Sequence, residues 1–229
     1  MLPYTLHKVG EKPQNLLIFL HGYNDSVASY SDKIALFCDK LKSAYLIFPE
    51  SAQPCDRNSA HLQWFGMLKY DPDNKRRQPQ TSTKEIFAIY EKAADDIQKQ
   101  AANINLFISQ MQQRYQTDDA HTYLMGFSQG AMLTIYAALT RSTCLAGGFV
   151  LSGLVAAEKS LQKQICSRPP LYLFHGEDDL KVQYKTLQHS VLWLKENNVP
   201  ACVKTYQRLA HKVCEEEIIS IAEIINKRI

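Results

Sequence analysis

The sequence contains cysteine but none of the spacings that would give it a structural or redox role. Its 229 residues include six cysteines, and no two of them form a CxxC pair. This absence excludes a thioredoxin-like motif and a zinc ribbon, because both require such pairs. We therefore expect free thiols that are mostly buried.

The sequence also lacks a long apolar run. Its most apolar window, residues 144–157, is too short and too rich in glycine to span a bilayer. Residues 1–12 contain no apolar stretch of the kind that a signal peptide requires. We expect a cytoplasmic protein without an integral membrane segment.

The sequence has no large excess of charge of either sign. The formal net charge is +3, and the one dense basic run is Lys75-Arg76-Arg77. Aspartate, proline, asparagine and glutamine surround this run, which is typical of a loop. We predict a solvated loop here and no nucleic-acid partner, since nucleic-acid binders present a larger basic face.

The sequence does contain a series of short apolar runs. Apolar residues make up 45% of the chain and charged residues 21%, an ordinary globular composition, and the length fits one domain over residues 1–229. Continuous apolar runs are typical of strands buried on both faces of a parallel sheet. The runs are residues 16–20, 45–48, 122–125, 148–151 and 171–174.

Amphipathic helical patterns separate these runs. The longest apolar stripe extends from Ile86 to Tyr115, and Ser82 with Glu85 predicts a capping box at its start. The alternation of strand and helix predicts the α/β class, with a mostly parallel open sheet and helices on both faces. The other predicted elements are helices at 27–41 and 184–195, a strand at 202–206 and a final helix from Glu215.

A candidate nucleophile follows one predicted strand. Residues 122–127 run into Gly126-Phe127-Ser128-Gln129-Gly130, and a helical stretch begins directly afterwards. A GxSxG sequence between a strand and a helix is typical of the nucleophile turn of α/β hydrolases. The turn exposes the serine hydroxyl, and the helix amino terminus favours developing negative charge. We predict that Ser128 is a nucleophile.

A serine nucleophile needs a base, which in this fold follows it in the chain. Three histidines meet that condition: His175, His189 and His211. His175 comes straight after a predicted strand and is expected to shape a turn, and His189 falls on the polar face of a predicted helix. His211 lies in a loop at the carboxyl edge of the predicted sheet, where open α/β proteins build their sites. We predict that His211 is the base.

The acid that orients the histidine should lie in the loop after the preceding strand. That loop contains Glu177, Asp178 and Asp179 in succession. Any of the three carboxylates could accept a hydrogen bond from His211 and stabilise its imidazolium form. Spacing alone does not choose among them.

Four motifs in this order resemble the phospholipase/carboxylesterase family, which includes acyl-protein thioesterases, small bacterial carboxylesterases and lysophospholipases. The likeness covers nearly the whole chain. The motifs are Ile18-Phe19-Leu20-His21-Gly22, the GxSxG at 126–130, His175-Gly176 followed by Asp179 and Val182, and His211 before the last helix.

The resemblance implies an α/β-hydrolase fold and assigns roles that spacing left open. The family pattern HGxxDxxV implies that Asp179 is the acid, with Asp178 as the fallback. The family's oxyanion hole implies that the backbone N–H groups of Tyr23 and Gln129 bind the developing oxyanion. Dimerisation through the region over the site occurs in this family, so the resemblance admits a homodimer.

One long segment, residues 51–82, shows neither the continuous apolar run of a buried strand nor the apolar stripe of a helix. It is polar except for Trp64, Phe65 and Met67. Loops of this length are more often functional than inert, so we predict a loop or lid inserted over the active site. We predict that Trp64 and Phe65 bind substrate; the alternative is that both rings pin the loop onto the core.

These residues predict a serine hydrolase that cleaves carboxylic esters or thioesters through an acyl-enzyme. Its substrate would be a small-molecule ester or an acylated molecule, and the scheme requires neither a metal nor an organic cofactor. One alternative is an α/β hydrolase of another bond, such as an enol-lactone or a peptide. The other is a non-catalytic binding scaffold of the same fold, which predicts the loss of a triad residue.

Overall fold

Strands and helices alternate along residues 1–227, which are the residues that this computed structural model describes. The strands are β1 (Tyr4–Val9), β2 (Asn15–Leu20), β3 (Ala44–Pro49), β4 (Gln53–Cys55), β5 (Asn58–Gln63), β6 (Thr122–Phe127), β7 (Gly147–Leu151), β8 (Leu171–Gly176) and β9 (Ala201–Tyr206). The α-helices are α1 (Ser31–Lys40), α2 (Thr83–Lys92), α3 (Ala94–Tyr115), α4 (Gln129–Thr140), α5 (Glu158–Gln162), α6 (Lys185–Glu196) and α7 (Glu215–Asn226).

Within residues 1–227, the central sheet has seven strands in the order β1-β3-β2-β6-β7-β8-β9. Neighbouring strands are parallel throughout, except that β1 pairs antiparallel with β3. The predicted mostly parallel sheet is confirmed. Strand β1 was not predicted, because its half-buried and exposed side chains at the sheet edge do not form an apolar run.

The parallel pairing places the carboxyl ends of β2, β6, β8 and β9 at one edge of the sheet. All six residues of both β2 and β6 are buried, which agrees with their continuous apolar sequence. The loops that leave this edge carry every residue predicted for the triad. The sheet order therefore positions the candidate site.

Helices cover both faces of the sheet. Helices α1 and α7 pack on one face, where Phe37 and Ile221 join a buried apolar cluster. The other helices pack on the opposite face, where Ile104 and Leu133 belong to a second cluster. The two-sided arrangement agrees with the predicted α/β class.

The long stripe from Ile86 to Tyr115 forms two helices instead of one. Helix α2 ends and α3 begins at Ala93, whose φ of −90° and ψ of 8° depart from helical values. The capping box of Ser82 and Glu85 is present at the start of α2. The helical spacing of apolar side chains continues across Ala93, so the sequence pattern does not reveal that the helix is interrupted there.

Residues 51–82 are more ordered than their sequence predicts. Strands β4 and β5 form an antiparallel hairpin, and residues Lys75–Arg77 form a turn of 3-10 helix. Backbone hydrogen bonds between Asp25 and Leu62, at 3.0 and 3.3 Å, tie the hairpin to the loop after β2. The interpretation of the whole segment as irregular is wrong, because polar β-strands at a surface lack an apolar run.

All six thiols are free, as predicted, but the expectation that they are mostly buried is wrong. Only Cys55 is buried, and Cys144, Cys166 and Cys202 are exposed. Cys144 and Cys166 lie in loops between the elements, and Cys202 lies on the edge strand β9, whose side chains are mostly exposed. Within residues 1–227, no helix is both long enough and apolar enough to cross a membrane.

Candidate active site

Ser128 lies in the turn between β6 and α4, with a φ of 56° and a ψ of −113°. A positive φ is uncommon for a residue with a side chain and costs energy that the surrounding structure must offset. The Ser128 N–H donates to the Leu151 carbonyl at 2.9 Å, which ties the turn to strand β7. The hydroxyl thus stands at the carboxyl edge of the sheet, beside the amino terminus of α4.

Two glycines allow this turn to be tight. A β-carbon at Gly126 would lie 2.3 Å from the carbonyl carbon and oxygen of Gly130. A β-carbon at Gly130 would lie 2.2 Å from the carbonyl oxygen of Leu20. Side chains at these positions would overlap backbone atoms, so the close approach of α4 to the sheet requires both glycines.

His211 joins the serine to an acid. Its Nε2 atom lies 2.9 Å from Ser128 Oγ, and its Nδ1 atom lies 2.7 Å from Asp179 Oδ2. His211 lies in the loop between β9 and α7, and Asp179 lies in the loop after β8. Three side chains from three separate loops therefore form one hydrogen-bonded chain.

The Asp179 carboxylate is fully enclosed by hydrogen-bond donors. Its Oδ1 atom accepts from the backbone N–H groups of Lys181 at 2.9 Å and Val182 at 3.0 Å. Burial acts to raise the pKa of Asp179, but the hydrogen bond with His211 and the N–H donors outweigh it, and the pKa lies below its ordinary value. The group is thus held as a carboxylate that can accept the Nδ1–H of His211.

Of the other residues considered from the sequence, three lie apart from the Asp179–His211–Ser128 hydrogen bonds, whereas His175 Nε2 lies 3.5 Å from Asp179 Oδ2. Asp178 is exposed, Glu177 accepts a hydrogen bond from Thr205 Oγ1 at 3.0 Å, and His189 Nε2 lies 2.6 Å from Glu158. His175 Nε2 donates to the Val182 carbonyl at 2.9 Å, which holds the loop that carries Asp179. Among residues 1–227, none of these four side chains is hydrogen-bonded to Ser128 or His211.

His21 fixes the turn that carries Tyr23. The Ser51 N–H donates to His21 Nε2 at 3.2 Å, so the proton is on Nδ1, which donates to the Gly22 carbonyl at 2.8 Å. Burial lowers the pKa of His21, which keeps the ring neutral in this role. The His-Gly turn lies beside Ser128, since a β-carbon built at Gly22 would be 3.6 Å from Ser128 Cβ.

Trp64 and Phe65 are buried beneath the site, each with 1% of its surface exposed. The Trp64 indole N–H donates to the His21 carbonyl at 2.9 Å, and its ring stacks on the His21 ring at 4.8 Å. The Gln129 side chain accepts from the Trp64 N–H at 2.8 Å and donates to the Phe65 carbonyl at 2.7 Å. These contacts favour the alternative in which the two rings pin the segment onto the core.

The sequence model for one family, described as Phospholipase/Carboxylesterase, matches residues 5–229. The chain belongs to the phospholipase/carboxylesterase family. Its relatives include acyl-protein thioesterase 1 of Mycosarcoma maydis, which is 28% identical over 95% of this chain and 92% of that protein. Carboxylesterase SOBER1 of Arabidopsis thaliana is 26% identical over 94% of this chain and 91% of its own length.

Solved structures show the same fold. The crystal structure of esterase PE8 superposes with a TM-score of 0.78 and 22% sequence identity, over 99% of this chain and 97% of that one. An α/β-hydrolase fold is therefore confirmed for this member of the phospholipase/carboxylesterase family.

In this family member, two cavities share Ser128 in their lining. The larger cavity, of about 340 Å³, is open along His211, Phe127 and the His-Gly turn. The smaller cavity, of about 20 Å³, extends from Ser128 toward Met132 and Tyr90. Both are also lined by Tyr23, Arg77 and Lys181.

The basic run at 75–77 is not a solvated loop, and that prediction is wrong. Arg76 is buried and its Nη1 atom lies 2.7 Å from Asp71 Oδ2. Arg77 is half-buried and lines both cavities beside Ser128. The run folds inward because Gln183 Nε2 donates to the carbonyls of Arg76 and Gln78, each at 2.9 Å.

Sequence reasoning missed three residues of the site. His21 was noted only as part of a motif, and nothing assigned a role to Lys181 or to the side chain of Arg77. The motif could have indicated His21, because a histidine beside a predicted oxyanion turn is a candidate for fixing that turn. Nothing in the sequence indicated the two cations: the position of Arg77 depends on how residues 51–82 fold, and Lys181 lies in the loop after β8.

Proposed function

We propose that the protein hydrolyses carboxylic esters or thioesters, with Ser128 as nucleophile, His211 as base and Asp179 as the residue that orients His211. The observation that carries this proposal is the hydrogen-bonded chain from Asp179 through His211 to Ser128, at 2.7 and 2.9 Å. Membership of the phospholipase/carboxylesterase family and the printed names of its relatives support the choice of substrate bond.

In the first half of the reaction, Ser128 Oγ attacks the carbonyl carbon of the substrate. Its proton passes to His211 Nε2, and the resulting imidazolium is stabilised by the Asp179 carboxylate. When the tetrahedral intermediate collapses, the bond to the leaving oxygen or sulfur breaks. His211 gives its proton to that atom, and an acyl group remains on Ser128.

The oxyanion of the intermediate is bound by the backbone N–H groups of Tyr23 and Gln129. The Ser128 N–H is already bonded to Leu151, so Gln129 supplies the donor at the start of α4, where the first N–H groups have no partner within the helix. His21 and Trp64 hold the turn that carries Tyr23. In comparable enzymes, one such donor contributes about 2.7–4 kcal/mol to the lowering of the barrier.

In the second half of the reaction, water replaces the departed alcohol or thiol. His211 takes a proton from the water as its oxygen attacks the acyl carbon, and returns that proton to Ser128 Oγ as the acyl bond breaks. The products are a carboxylic acid and the free serine. This scheme uses only groups of the chain and water.

We propose that residues 51–82 form one wall of the substrate site within a single domain. Arg57 and Arg77 from this segment line the larger cavity, and Met67 lines the smaller one. The pinned rings of Trp64 and Phe65 support a fixed wall, because their contacts with His21 and Gln129 are buried.

The test is hydrolysis of 4-nitrophenyl acetate and of an acetyl thioester by the parent and by Ser128→Ala and His211→Ala. We expect activity in the parent and a loss of at least about 1000-fold in each variant, as for other catalytic serine–histidine pairs. A matched control is His189→Ala, whose ring pairs with Glu158 away from Ser128. Turnover that survives in Ser128→Ala would refute the assignment of the nucleophile.

A further inference from the structure

The larger cavity beside Ser128 carries three cationic side chains from separate parts of the chain. Arg57 comes from the β4–β5 hairpin, Arg77 from the turn of 3-10 helix, and Lys181 from the loop after β8. Among residues 1–227, Asp25 supplies the one carboxylate that lines this cavity. Its oxygens accept hydrogen bonds from the Tyr30 hydroxyl at 2.6 Å and the Ser26 N–H at 2.9 Å.

The cations are not neutralised by carboxylates of the described residues. Across residues 1–227, the guanidinium of Arg77 and the ammonium of Lys181 form no ion pair and no side-chain hydrogen bond, and Arg57 donates only to the neutral carbonyls of Asp71 and Pro72. The nearby Asp71 carboxylate is bonded to Arg76 instead. The lining of the cavity thus has an excess of positive charge.

Arg77 is the least exposed of the three. Its guanidinium lies 5.6 Å from the centre of the Tyr23 ring, on the wall next to the proposed oxyanion turn. Burial and the adjacent charge of Arg76 lower the pKa of Arg77, which shows that the site disfavours a cation without a counter-charge. A half-buried cation of this kind is stabilised when an anion binds beside it.

The space around Ser128 also limits the acyl group. The cavity that extends from Ser128 toward the core is about 20 Å³, roughly the space that a single water molecule needs. Met67, Met132 and Val182 close its apolar side. A long acyl chain has no room there, whereas the polar cavity of about 340 Å³ is open.

From these observations we propose that the substrate is an ester or thioester with a short acyl chain and an anionic group, a carboxylate or a phosphate, close to the scissile carbonyl. Arg77 and Lys181 bind the anion, because both line the two cavities that meet at Ser128. This inference rests on the proposed function and narrows it to a substrate class. It makes Arg77 a specificity-determining residue.

The experiment compares matched substrates that differ only in a carboxylate or its neutral amide. Monomethyl succinate and methyl succinamate place the group on the acyl side. O-acetylglycolate and O-acetylglycolamide place it on the alcohol side. Hydrolysis is followed at pH 7.5 by titration of the released acid, and the ratio of kcat/KM for carboxylate over amide is the measured quantity in each pair.

We expect a ratio of about ten or more in at least one pair, since hydrogen bonds to charged partners contribute more than those to neutral ones. Preference in the first pair assigns the anion to the acyl group, and preference in the second assigns it to the alcohol. A ratio near or below one in both pairs, or no turnover of any of the four compounds, would overturn the proposal.

Variants of Arg77 test whether this residue causes the preference for carboxylate over amide, measured as the ratio of kcat/KM. Arg77→Gln should lower it about tenfold, whereas Arg77→Lys should retain part of the preference, because it keeps the charge but loses the planar guanidinium. Lys12→Gln removes the same charge from an exposed position outside the cavities and should keep the parent ratio. A ratio that is equally high in Arg77→Gln would refute the role of Arg77.

Reaction of Ser128 with a fluorophosphonate separates this inference from the proposed function. A parent and variants that all label at Ser128, combined with ratios near one, would remove the anionic substrate class and leave the hydrolase proposal intact. A folded parent that does not label would instead count against the proposed function, and the inference would fall with it.

Discussion

The side-chain oxygen of Gln129 accepts a hydrogen bond from the backbone N–H of Trp64 at 2.8 Å, although the two residues are 65 positions apart in the chain. The other end of the same amide donates to the Phe65 carbonyl at 2.7 Å. Gln129 thus joins the start of α4 to residues 51–82, directly beside Ser128. The residue proposed as an oxyanion donor also holds the wall of the site.

Gln129→Ala is expected to loosen this wall. The change leaves the Trp64 N–H and the Phe65 carbonyl buried without their partner, which should lower the free energy of unfolding by about 2–4 kcal/mol. Urea denaturation measures the loss, and Gln113→Ala, on an exposed position of α3, is the control with no expected effect. An equal free energy of unfolding for the parent and Gln129→Ala would show that these two hydrogen bonds do not stabilise the fold.

Asp179→Asn is expected to lower kcat for 4-nitrophenyl acetate by at least about 100-fold. An asparagine can present its NH₂ group to His211 or favour the wrong tautomer, so the ring no longer accepts the serine proton. Asp178→Asn is the matched control: its side chain is exposed, and we expect a change of less than about threefold. A larger effect at position 178 than at 179 would reverse the choice between the two aspartates.

Glu217→Gln is expected to stabilise the protein more at alkaline than at acidic pH. Burial raises the pKa of Glu217 to about 7 from an ordinary value of 4.5, and its Oε1 atom has no hydrogen-bond partner among residues 1–227. Between these two values the unfolded chain releases a proton that the folded protein retains, so the stability of the parent falls as the pH rises through this window.

The Glu217→Gln variant has no titratable group at this position, so its stability does not fall as the pH rises through this window. Its free energy of unfolding relative to the parent should therefore increase by up to about 3 kcal/mol between pH 4.5 and pH 8. Urea denaturation at both pH values checks this, with the exposed Glu223→Gln as a control that follows the parent. A constant difference between Glu217→Gln and the parent would contradict the raised pKa.

Most of the buried strands, Ser128 and His211 could be predicted from the residues themselves, whereas the choice of Asp179 among three neighbouring carboxylates came from the family resemblance. Continuous apolar runs identified the buried strands, and GxSxG identified a turn whose glycines have no room for a side chain. His211 followed from the strand order, since the carboxyl ends of parallel strands meet at one edge.

The walls of the site could not be predicted, because they depend on contacts between distant residues. Trp64 and Phe65 stand in a polar segment and suggested exposed rings, but Gln129 and His21 hold them in the core. Arg76 and Arg77 looked like a solvated run for the same reason. Neither composition nor periodicity records that Gln183 binds the Arg76 carbonyl from a segment 107 positions later.

Met132→Ala is expected to shift the acyl-chain preference toward longer esters. Met132 closes the cavity of about 20 Å³ beside Ser128, and its truncation makes room for additional methylene groups, each contributing about 0.8 kcal/mol when buried. The ratio of kcat/KM for 4-nitrophenyl butyrate over acetate should rise about threefold or more. Met111→Ala, equally buried in α3, is the control for lost core packing. An unchanged ratio in Met132→Ala would show that the acyl group lies elsewhere.

The most direct test of the account is to identify the residue that a fluorophosphonate modifies. The parent protein is incubated with the reagent, its intact mass is measured, and the modified peptide is sequenced by mass spectrometry. We predict one adduct per chain, located on Ser128, and no adduct in a folded Ser128→Ala variant. An adduct on another residue, or none on a parent protein with an intact fold, would contradict the assignment of Ser128 as the nucleophile.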